Sequence, residues 1–279
     1  MIFKCRNYKL DLSNKTHIMG ILNITPDSFS DGGRFFKSGL AVKHALDMVE
    51  NGADIIDIGG ESTRPGSNPI TVKEEIKRVL PVLKELIKKT KVPISVDTYK
   101  YEVVKVVLEE GASIINDISG LHFDKRIAKL ISKYKAGIVI MHIKGTPRNM
   151  QETPHYKNVI KEIADYIKEG IKNAVLAKID RSSIMIDPGL GFGKTLEHNL
   201  AIFKRLNEFK KLGFPILIGP SRKSFIGKIL NLPVTERLEG TLGAVAVSIL
   251  NGANVIRVHD VKEVYRVTRV VEAIMKVNR

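Results

Sequence analysis

The sequence contains very little cysteine, no tryptophan and no long uninterrupted run of apolar residues. Its single cysteine, Cys5, cannot form an internal disulfide, which fits the reducing conditions of the cytosol. No segment approaches the roughly 20 apolar residues that span a bilayer. The N-terminal residues also lack the apolar core of a signal peptide. These absences exclude a disulfide-stapled domain and a membrane-spanning protein, and they predict a cytoplasmic location.

The chain also lacks a concentrated block of positive charge, although its formal net charge is +15. Lysine and arginine are scattered along predicted helices and often lie beside glutamate, as in residues 74–78. Basic residues are not interleaved with aromatic residues that could stack on bases. We therefore interpret the charge as a solvated surface, with the attraction of small anionic substrates as the alternative, and we expect no nucleic-acid partner.

Short apolar runs alternate with amphipathic segments along almost the whole of the 279 residues. Eight such repeats predict an α/β fold, a (β/α)₈ TIM barrel, with a doubly wound sheet as the alternative. We expect one barrel domain over residues 1–279, in which residues 1–16 form a short N-terminal β-hairpin. The eight predicted strands are 17–24, 53–60, 93–97, 110–117, 136–142, 184–187, 215–219 and 254–260.

Three helix-to-strand junctions are near copies of one another, at residues 51–56, 110–115 and 251–256. Each contains a Gly-Ala pair before an apolar run. Glycine can adopt the left-handed conformation that ends a helix, and alanine lets the helix and strand pack closely. The repetition supports the alternation of helices with parallel strands.

Polar residues follow or end the predicted strands. In a barrel of this kind the active site lies at the C-terminal ends of the strands. The residues selected by that rule are Asn23, Asp57, Asp97, Asn116, Asp187, Lys223, Arg257 and His259. We expect Arg257 and His259 to form a cationic pair that, with Arg64 and Lys223, neutralises a phosphate or pyrophosphate. The carboxylates and amides would accept hydrogen bonds from a flat heterocycle that carries N–H groups.

Several of these residues also have purely structural interpretations. Asp97 could cap the helix that follows it, and Asp187 could form a turn before Pro188. Arg257 or His259 could belong to a structural ion pair. We interpret the other histidines as structural and Cys5 as inert; these histidines are His17, His44, His142 and His155.

The glycine-rich segment 189–195 is similar to a nucleotide-binding phosphate loop but does not match its spacing. The G-x-x-x-x-G-K-[ST] pattern requires glycine at position 188, where this chain has Pro188. We therefore exclude a P-loop NTPase.

Eight motifs together resemble the dihydropteroate synthase family, and they occur in the family's order from residue 19 to residue 261. They are MGILNITPDSFSDGG, GGESTRPGS, ISVDTYK, IINDISG, MHIKGTPRNMQ, IDPGLGFGK, GPSRKSFIG and RVHDV. The resemblance implies a (β/α)₈ enzyme of bacterial folate synthesis, a homodimer and a sulfonamide target. Such an enzyme transfers a pterin, carried as 6-hydroxymethyl-7,8-dihydropterin pyrophosphate, to 4-aminobenzoate and releases pyrophosphate.

The resemblance also implies roles for individual residues. The residues that would bind the pterin are Asp97, Asn116, Asp187, Lys223 and Arg257. Those that would face the pyrophosphate are Asn23, Thr63, Arg64, Arg257 and His259, with Asn23 on a Mg²⁺ ion. The aminobenzoate would lie beside Thr63, Pro65, Phe192, Lys223 and Ser224. The loops 25–33 and 62–66 would close over the site, and residues 29–36 would help to shape it.

For the reaction we expect a dissociative displacement, in which pyrophosphate departs before the neutral arylamine attacks. The catalytic set would be Asn23, Arg64, Asp97, Lys223, Arg257 and His259. The alternatives are a corrinoid-linked pterin methyltransferase, a pterin- or anion-binding barrel without activity, and a Schiff-base lyase that uses Lys223. The loops 25–33 and 62–66 and the segment 221–224 favour the synthase.

Overall fold

A computed structural model describes residues 1–24 and 34–277 of the chain. It begins with an antiparallel hairpin of strands β1 (Ile2–Cys5) and β2 (Tyr8–Asp11), followed by eight further strands. These are β3 (His17–Asn23), β4 (Ile55–Gly59), β5 (Ile94–Asp97), β6 (Ile114–Asp117), β7 (Gly137–Met141), β8 (Ile184–Asp187), β9 (Leu217–Ile218) and β10 (Val255–Val258).

The eight strands β3 to β10 are parallel and close into a barrel. Their order across the sheet is β8-β7-β6-β5-β4-β3-β10-β9, and a parallel bridge between Ile186 and Ile216 joins the two ends. The surrounding helices are α1 (Arg34–Glu50), α2 (Val72–Lys89), α3 (Tyr101–Glu109), α4 (Arg126–Tyr134), α5 (Val159–Leu176), α6 (Leu196–Lys204), α7 (Ser224–Leu230), α8 (Leu238–Leu250) and α9 (Val261–Lys276). The predicted (β/α)₈ barrel with an N-terminal hairpin is therefore confirmed.

Side-chain alternation along the strands positions the polar residues inside the barrel. One buried layer of the interior is apolar and consists of Met19, Ile55, Ile114, Val139, Met185, Leu217 and Val255. Because side chains in a strand alternate between faces, the residue two positions further along points inward again. That step leads from Ile55 to Asp57, from Ile114 to Asn116 and, likewise, to Asp187 and Arg257. A polar layer therefore lies directly above an apolar floor.

The three repeated junctions adopt the predicted conformation. Gly52, Gly111 and Gly252 have φ values of 104°, 110° and 96°, in the region where a side chain would be strained. The alanine that follows each glycine is buried. These turns bring each helix end against the start of the next strand, at the end of the barrel opposite the polar residues.

After β8 the chain forms α6 and then a 3₁₀ segment, Leu206–Leu212, and Arg205 separates the two with a non-helical backbone at φ −116° and ψ 20°. The predicted closure of residues 25–33 lies outside the described residues. Within the described ranges, no helix combines the length and apolar character needed to cross a membrane.

The hairpin closes the bottom of the barrel by inserting one face into it. Phe3 and Cys5 are fully buried and join the apolar floor, whereas Ile2, on the other face, is 44% exposed. Phe3 packs so closely on β7 that a Cβ added to Gly137 would lie 2.6 Å from the phenylalanine ring. The hairpin therefore completes the core below the polar layer.

We predict that Phe3→Ala reduces the free energy of unfolding by about 3–5 kcal/mol, because the buried ring leaves a cavity. The measurement is denaturant-induced unfolding followed by circular dichroism. Ile2→Ala is the matched control on the exposed face, and it should cost less than about 1 kcal/mol. Equal effects of the two substitutions would contradict the conclusion that the inward face of β1 completes the core.

Candidate active site

Arg257 holds two carboxylates from neighbouring strands at the mouth of the barrel. Its Nε lies 2.6 Å from Asp57 Oδ2 on β4, and its Nη2 lies 2.8 Å from Asp97 Oδ2 on β5. Asn116 on β6 donates from Nδ2 to the same Asp57 oxygen at 3.0 Å. The planar guanidinium can serve both carboxylates at once because its N–H groups point in fixed directions. Four strand residues thus form one hydrogen-bonded group.

The oxygen atoms left over in this group are buried and face no donor. Asp57 Oδ1, Asp97 Oδ1 and Asn116 Oδ1 have no hydrogen-bond partner within the described part of the chain. A buried acceptor without a partner is costly, of the order of 1–3 kcal/mol. Three such acceptors on adjacent strands form a surface that fits a ligand with several N–H donors, because such a ligand would satisfy all of them.

The electrostatics of this group depend on its burial. Burial raises the pKa of Asp97 to about 7, although Arg257 opposes the shift, and Asp57 adds to it. Burial also raises the pKa of Asp187. The Gly189 N–H opposes this rise, because it donates a hydrogen bond to Asp187 Oδ1 at 2.7 Å. The mouth therefore contains one carboxyl group, that of Asp97, that can change protonation near neutral pH, and a second, that of Asp187, whose pKa is raised.

Lys223 approaches the same pocket from the end of β9. Its Nζ donates to the Leu190 carbonyl at 2.6 Å and lies 4.3 Å from the centroid of the Phe192 ring. Burial lowers the pKa of Lys223 to about 8, while Asp187 favours the charged form. The ammonium is therefore mostly charged at neutral pH and lies between an aromatic face and the carboxylates.

Asn23 and His259 form the neighbouring part of the mouth. Asn23 Nδ2 is 3.4 Å from His259 Nε2, and His259 Nδ1 is 2.9 Å from Ser221 Oγ. A Cβ added to Gly59 would lie 3.4 Å from Asn23 Oδ1 and 3.9 Å from Asp97 Cβ. The absence of a side chain at position 59 thus keeps a space between these two residues.

The expected cationic pair of Arg257 and His259 needs correction. Burial lowers the pKa of His259 to about 4, and the nearby positive charge of Arg257 lowers it further. The imidazole is therefore neutral at pH 7, and Arg257 is the cation of the two. His259 remains at the mouth as a hydrogen-bonding group rather than as a charge.

The loop that carries Thr63, Arg64 and Pro65 is fixed at both of its ends. Glu61 Oε2 accepts the Ile70 N–H at 2.7 Å, and Lys100 Nζ binds Glu61 Oε2 at 2.6 Å and the Ile70 carbonyl at 2.7 Å. Lys100 also contacts Glu75 Oε2 at 2.7 Å. Between these fixed ends, Arg64 is exposed, yet close enough to His259 for its charge to lower the pKa of that imidazole.

Asp97 and Asp187 differ in whether their side chains have a structural role in the backbone that follows them. Asp97 does not cap α3, because the cap position is Lys100 and the Asp97 side chain instead binds Arg257. Asp187 does stabilise the turn that follows it through Gly189, so the structural interpretation holds for one of its oxygens. Ser224, which was expected beside the second substrate, is exposed at the start of α7.

The fold brings to this site several contacts that do not follow from the sequence pattern. Asp57 was selected as a strand residue, but its link to Arg257 and Asn116 was not foreseen. Ser221, which contacts His259, was not selected, although it follows β9 as Lys223 does. Glu61 and Lys100 belong to the quoted motifs, and their charges could have suggested an ion pair; only the fold brings them together across 39 residues.

Comparisons with known proteins agree with the geometry. The family model described as pterin binding enzyme matches residues 19–259. The dihydropteroate synthase of Clostridium beijerinckii is 45% identical over 98% of this chain and 99% of that protein. The structure of the Yersinia pestis dihydropteroate synthase with a sulfonamide drug has a TM-score of 0.93 at 40% identity, covering 99% of this chain and 100% of that one. The Xanthomonas albilineans enzyme in complex with 7,8-dihydropteroate has a TM-score of 0.90 at 36% identity, covering 99% and 100% of the two chains.

The fold, the acceptor-lined pocket and these similarities define a pterin-binding (β/α)₈-barrel transferase. Within that class, the chain belongs to the dihydropteroate synthase family and is an enzyme of that family.

Proposed function

We propose that this enzyme joins 6-hydroxymethyl-7,8-dihydropterin pyrophosphate to 4-aminobenzoate, giving 7,8-dihydropteroate and pyrophosphate. The single observation that carries the proposal is the set of buried acceptors Asp57 Oδ1, Asp97 Oδ1 and Asn116 Oδ1. A dihydropterin has a 2-amino group and ring N–H groups on one planar edge, and these donors match acceptors on adjacent strands. The dihydropteroate bound to the Xanthomonas relative supports the same ligand class.

For the rest of the pterin site, the proposal uses the cations and carboxylates around the acceptors. Asp187 and Lys223 would complete the contacts to the ring, and the planar guanidinium of Arg257 would cover one face. The aminobenzoate would lie beside Phe192, whose ring is also in contact with Lys223, and near Thr63, Pro65 and Ser224. These roles rest on the family resemblance and on the shared end of the barrel.

The pyrophosphate would lie at the part of the mouth formed by Asn23 and His259, with Arg64 and Thr63 reaching it from the loop 62–66. Asn23 Oδ1 is the protein oxygen we propose for Mg²⁺. The described residues contain no cluster of three or more His, Cys, Asp or Glu side chains that could hold a metal. One amide oxygen fits a Mg²⁺ ion held mostly by substrate phosphates and water, which is a common arrangement for this ion.

The proposed mechanism is dissociative. The bond between the pterin methylene carbon and the pyrophosphate oxygen breaks first, and the electron pair leaves with the pyrophosphate. Mg²⁺ would supply positive charge to the leaving group. Arg64 and Arg257 would add to that stabilisation. The neutral amine of aminobenzoate then forms the C–N bond and loses a proton to water. A strong base is not needed, because an arylamine is unprotonated at neutral pH.

The test is pyrophosphate release by the purified protein with the pterin pyrophosphate and Mg²⁺, with and without 4-aminobenzoate. We expect release that depends on the aminobenzoate, formation of dihydropteroate, and loss of turnover after removal of Mg²⁺ with a chelator. Tight pterin binding without pyrophosphate release would reject the proposal and favour a methyltransferase or a binding protein.

We also propose that the enzyme is a homodimer, as in the family it resembles. Exposed apolar side chains lie on the adjacent helices α8 and α9, among them Leu250, Val270 and Ile274, which are 56%, 60% and 64% exposed. Val270 and Ile274 are one turn apart and so share a face of α9. We expect the double variant Val270→Lys/Ile274→Lys to sediment as a monomer and the wild type as a dimer. Monomeric wild type at micromolar concentration would reject the proposal.

A further inference from the structure

The loop that follows β8 is fixed by an unusually complete set of hydrogen bonds. Each of the five consecutive carbonyl groups of residues 189–193 accepts one bond from a different donor. The donors, in order, are Phe192 N (3.2 Å), Lys223 Nζ (2.6 Å), Gln151 Nε2 (2.5 Å), Lys194 Nζ (3.0 Å) and Tyr156 Oη (2.8 Å). Four of these five donors are side chains, so side chains, more than backbone groups of the loop itself, hold the conformation of this loop.

Lys194 is the donor that is buried beneath the loop. The residue is 3% exposed, and its Nζ lies 2.8 Å from His142 Nδ1 as well as 3.0 Å from the Phe192 carbonyl. Burial lowers the pKa of Lys194 well below its usual value, and the charges of Lys223 and Lys144 add to this effect while Asp187 opposes it. The amine therefore lies between the His142 ring nitrogen and the Phe192 carbonyl oxygen.

Stability does not explain why a lysine occupies this position. Because burial lowers the pKa of Lys194 below its value in the unfolded chain, folding disfavours the protonated form of this amine. The lowered pKa therefore costs stability at pH 7, and the cost disappears only as the pH rises to the unfolded pKa. A methionine of similar length would fill the same space without this cost.

The Phe192 carbonyl gives the lysine a role at the active site. The Phe192 ring lies 4.3 Å from Lys223 Nζ and packs on the apolar side chains of Met141, Ile143 and Met150. Lys223 fixes the Leu190 carbonyl, and Lys194 fixes the Phe192 carbonyl two residues later. The two lysines together determine where the ring lies relative to the ammonium.

We propose that Lys194 is a positioning residue that holds the Phe192 peptide, and thereby keeps the aromatic ring beneath Lys223 on the aminobenzoate side of the pocket. The inference rests on the proposed function for the identity of the second substrate. Lys194 does not touch the substrate; it acts through the carbonyl of Phe192 and is supported by His142.

The experiment compares wild type with Lys194→Met. We expect the KM for 4-aminobenzoate to rise about tenfold with a smaller change in kcat, because ground-state positioning of one substrate is lost. The dissociation constant of the pterin pyrophosphate, measured by calorimetry without aminobenzoate, should stay within about twofold. The thermal midpoint at pH 7 should be unchanged or higher. If Lys194 had only a structural role, the variant would instead have a lower thermal midpoint and would bind both substrates more weakly.

Thr195→Ala is the matched control at the next residue. Thr195 Oγ1 accepts the His198 N–H at 3.3 Å and caps α6, but it takes no part in the bond to Phe192. This variant should lower the thermal midpoint and leave the KM for aminobenzoate unchanged. In a Phe192→Ala background, Lys194→Met should cause no further rise in that KM, because the group it positions is already missing.

Hydrogen exchange separates this inference from the proposed function. Amide exchange of residues 189–193 should be faster in Lys194→Met than in wild type, whether or not the protein turns over these substrates. Equal exchange rates, or additive effects of Lys194→Met and Phe192→Ala on the KM, would overturn the inference. A wild-type enzyme without aminobenzoate-dependent release would reject the proposed reaction, and the exchange result would still decide the role of Lys194.

Discussion

Replacing Arg257 by glutamine is expected to lower kcat/KM for the pterin pyrophosphate by at least about 1,000-fold, by analogy with the loss of other preorganised charges at active sites. Arg257 is the cation hydrogen-bonded to both Asp57 and Asp97, at 2.6 and 2.8 Å. Without it, the buried carboxylates of Asp57 and Asp97 lose their positive partner, and the pKa of Asp97 should rise further because Arg257 now holds it down. The pterin acceptors and a cation of the pyrophosphate site are then lost together. The measurement is steady-state kinetics with the pterin substrate varied.

The substitution could also affect folding, so two further variants accompany it. Arg205→Gln removes an arginine from an exposed ion pair with Glu208, and such pairs contribute at most about 1 kcal/mol; its activity should equal that of wild type. Arg257→Lys keeps the charge, but one ammonium cannot reproduce the fork that serves both carboxylates. We expect it to fold normally and to recover only part of the activity. Full activity in Arg257→Lys would contradict the two-carboxylate role.

Replacing Lys223 by methionine is expected to lower kcat/KM by about 100-fold or more, a typical loss for one preorganised charge, and to change the pH profile. In wild type, the Lys223 pKa of about 8 predicts that kcat/KM falls as the pH rises above it, because the neutral amine no longer balances the pterin-site carboxylates. The Asp97 pKa of about 7 predicts a fall below that pH, because the protonated carboxyl loses one acceptor and its attraction to Arg257. Because Asp97 and Lys223 influence each other's protonation, the acid and alkaline limbs of the pH profile give apparent pKa values that belong to the pair of groups.

The pH profile of kcat/KM between pH 5.5 and 9.5, a range chosen to extend about 1.5 units beyond each pKa, distinguishes the variants. Lys223→Met should have no fall on the alkaline side, because the titrating amine is gone. Lys223→Arg should keep a charge throughout this range and show higher activity than the methionine variant at pH 9. An alkaline fall that persists unchanged in Lys223→Met would assign it to another group and contradict this role of Lys223.

Much of the fold could be predicted because it depends on patterns that are local in the chain. The Gly-Ala junction at Gly52, Gly111 and Gly252 recurs at three of the points where a helix returns to a strand, and the left-handed backbone it requires is visible in the sequence itself. Alternation along strands likewise places Asp57 above Ile55 whatever the partner strands are. These features predicted the barrel and the end at which polar residues gather.

The pairing of the charges could not be predicted in the same way. Arg257 is 200 residues from Asp57 and 160 from Asp97, and only closure of the barrel brings β10 next to β3 and within reach of β4 and β5. Protonation depends on burial, which no local pattern gives. His259 was for that reason expected to be charged, whereas its buried position makes it neutral.

The sequence by itself determined the eight-fold alternation, the junction glycines, the set of polar strand ends and, through eight motifs, the family. All of these depend on residue type and spacing over short distances. Tertiary structure alone decided that Arg257 joins two carboxylates, that three acceptor oxygens share one buried surface, and that Lys194 is a buried donor to the Phe192 carbonyl. Those properties depend on which distant side chains meet and on how much water is excluded around them, and both are set only when the barrel closes.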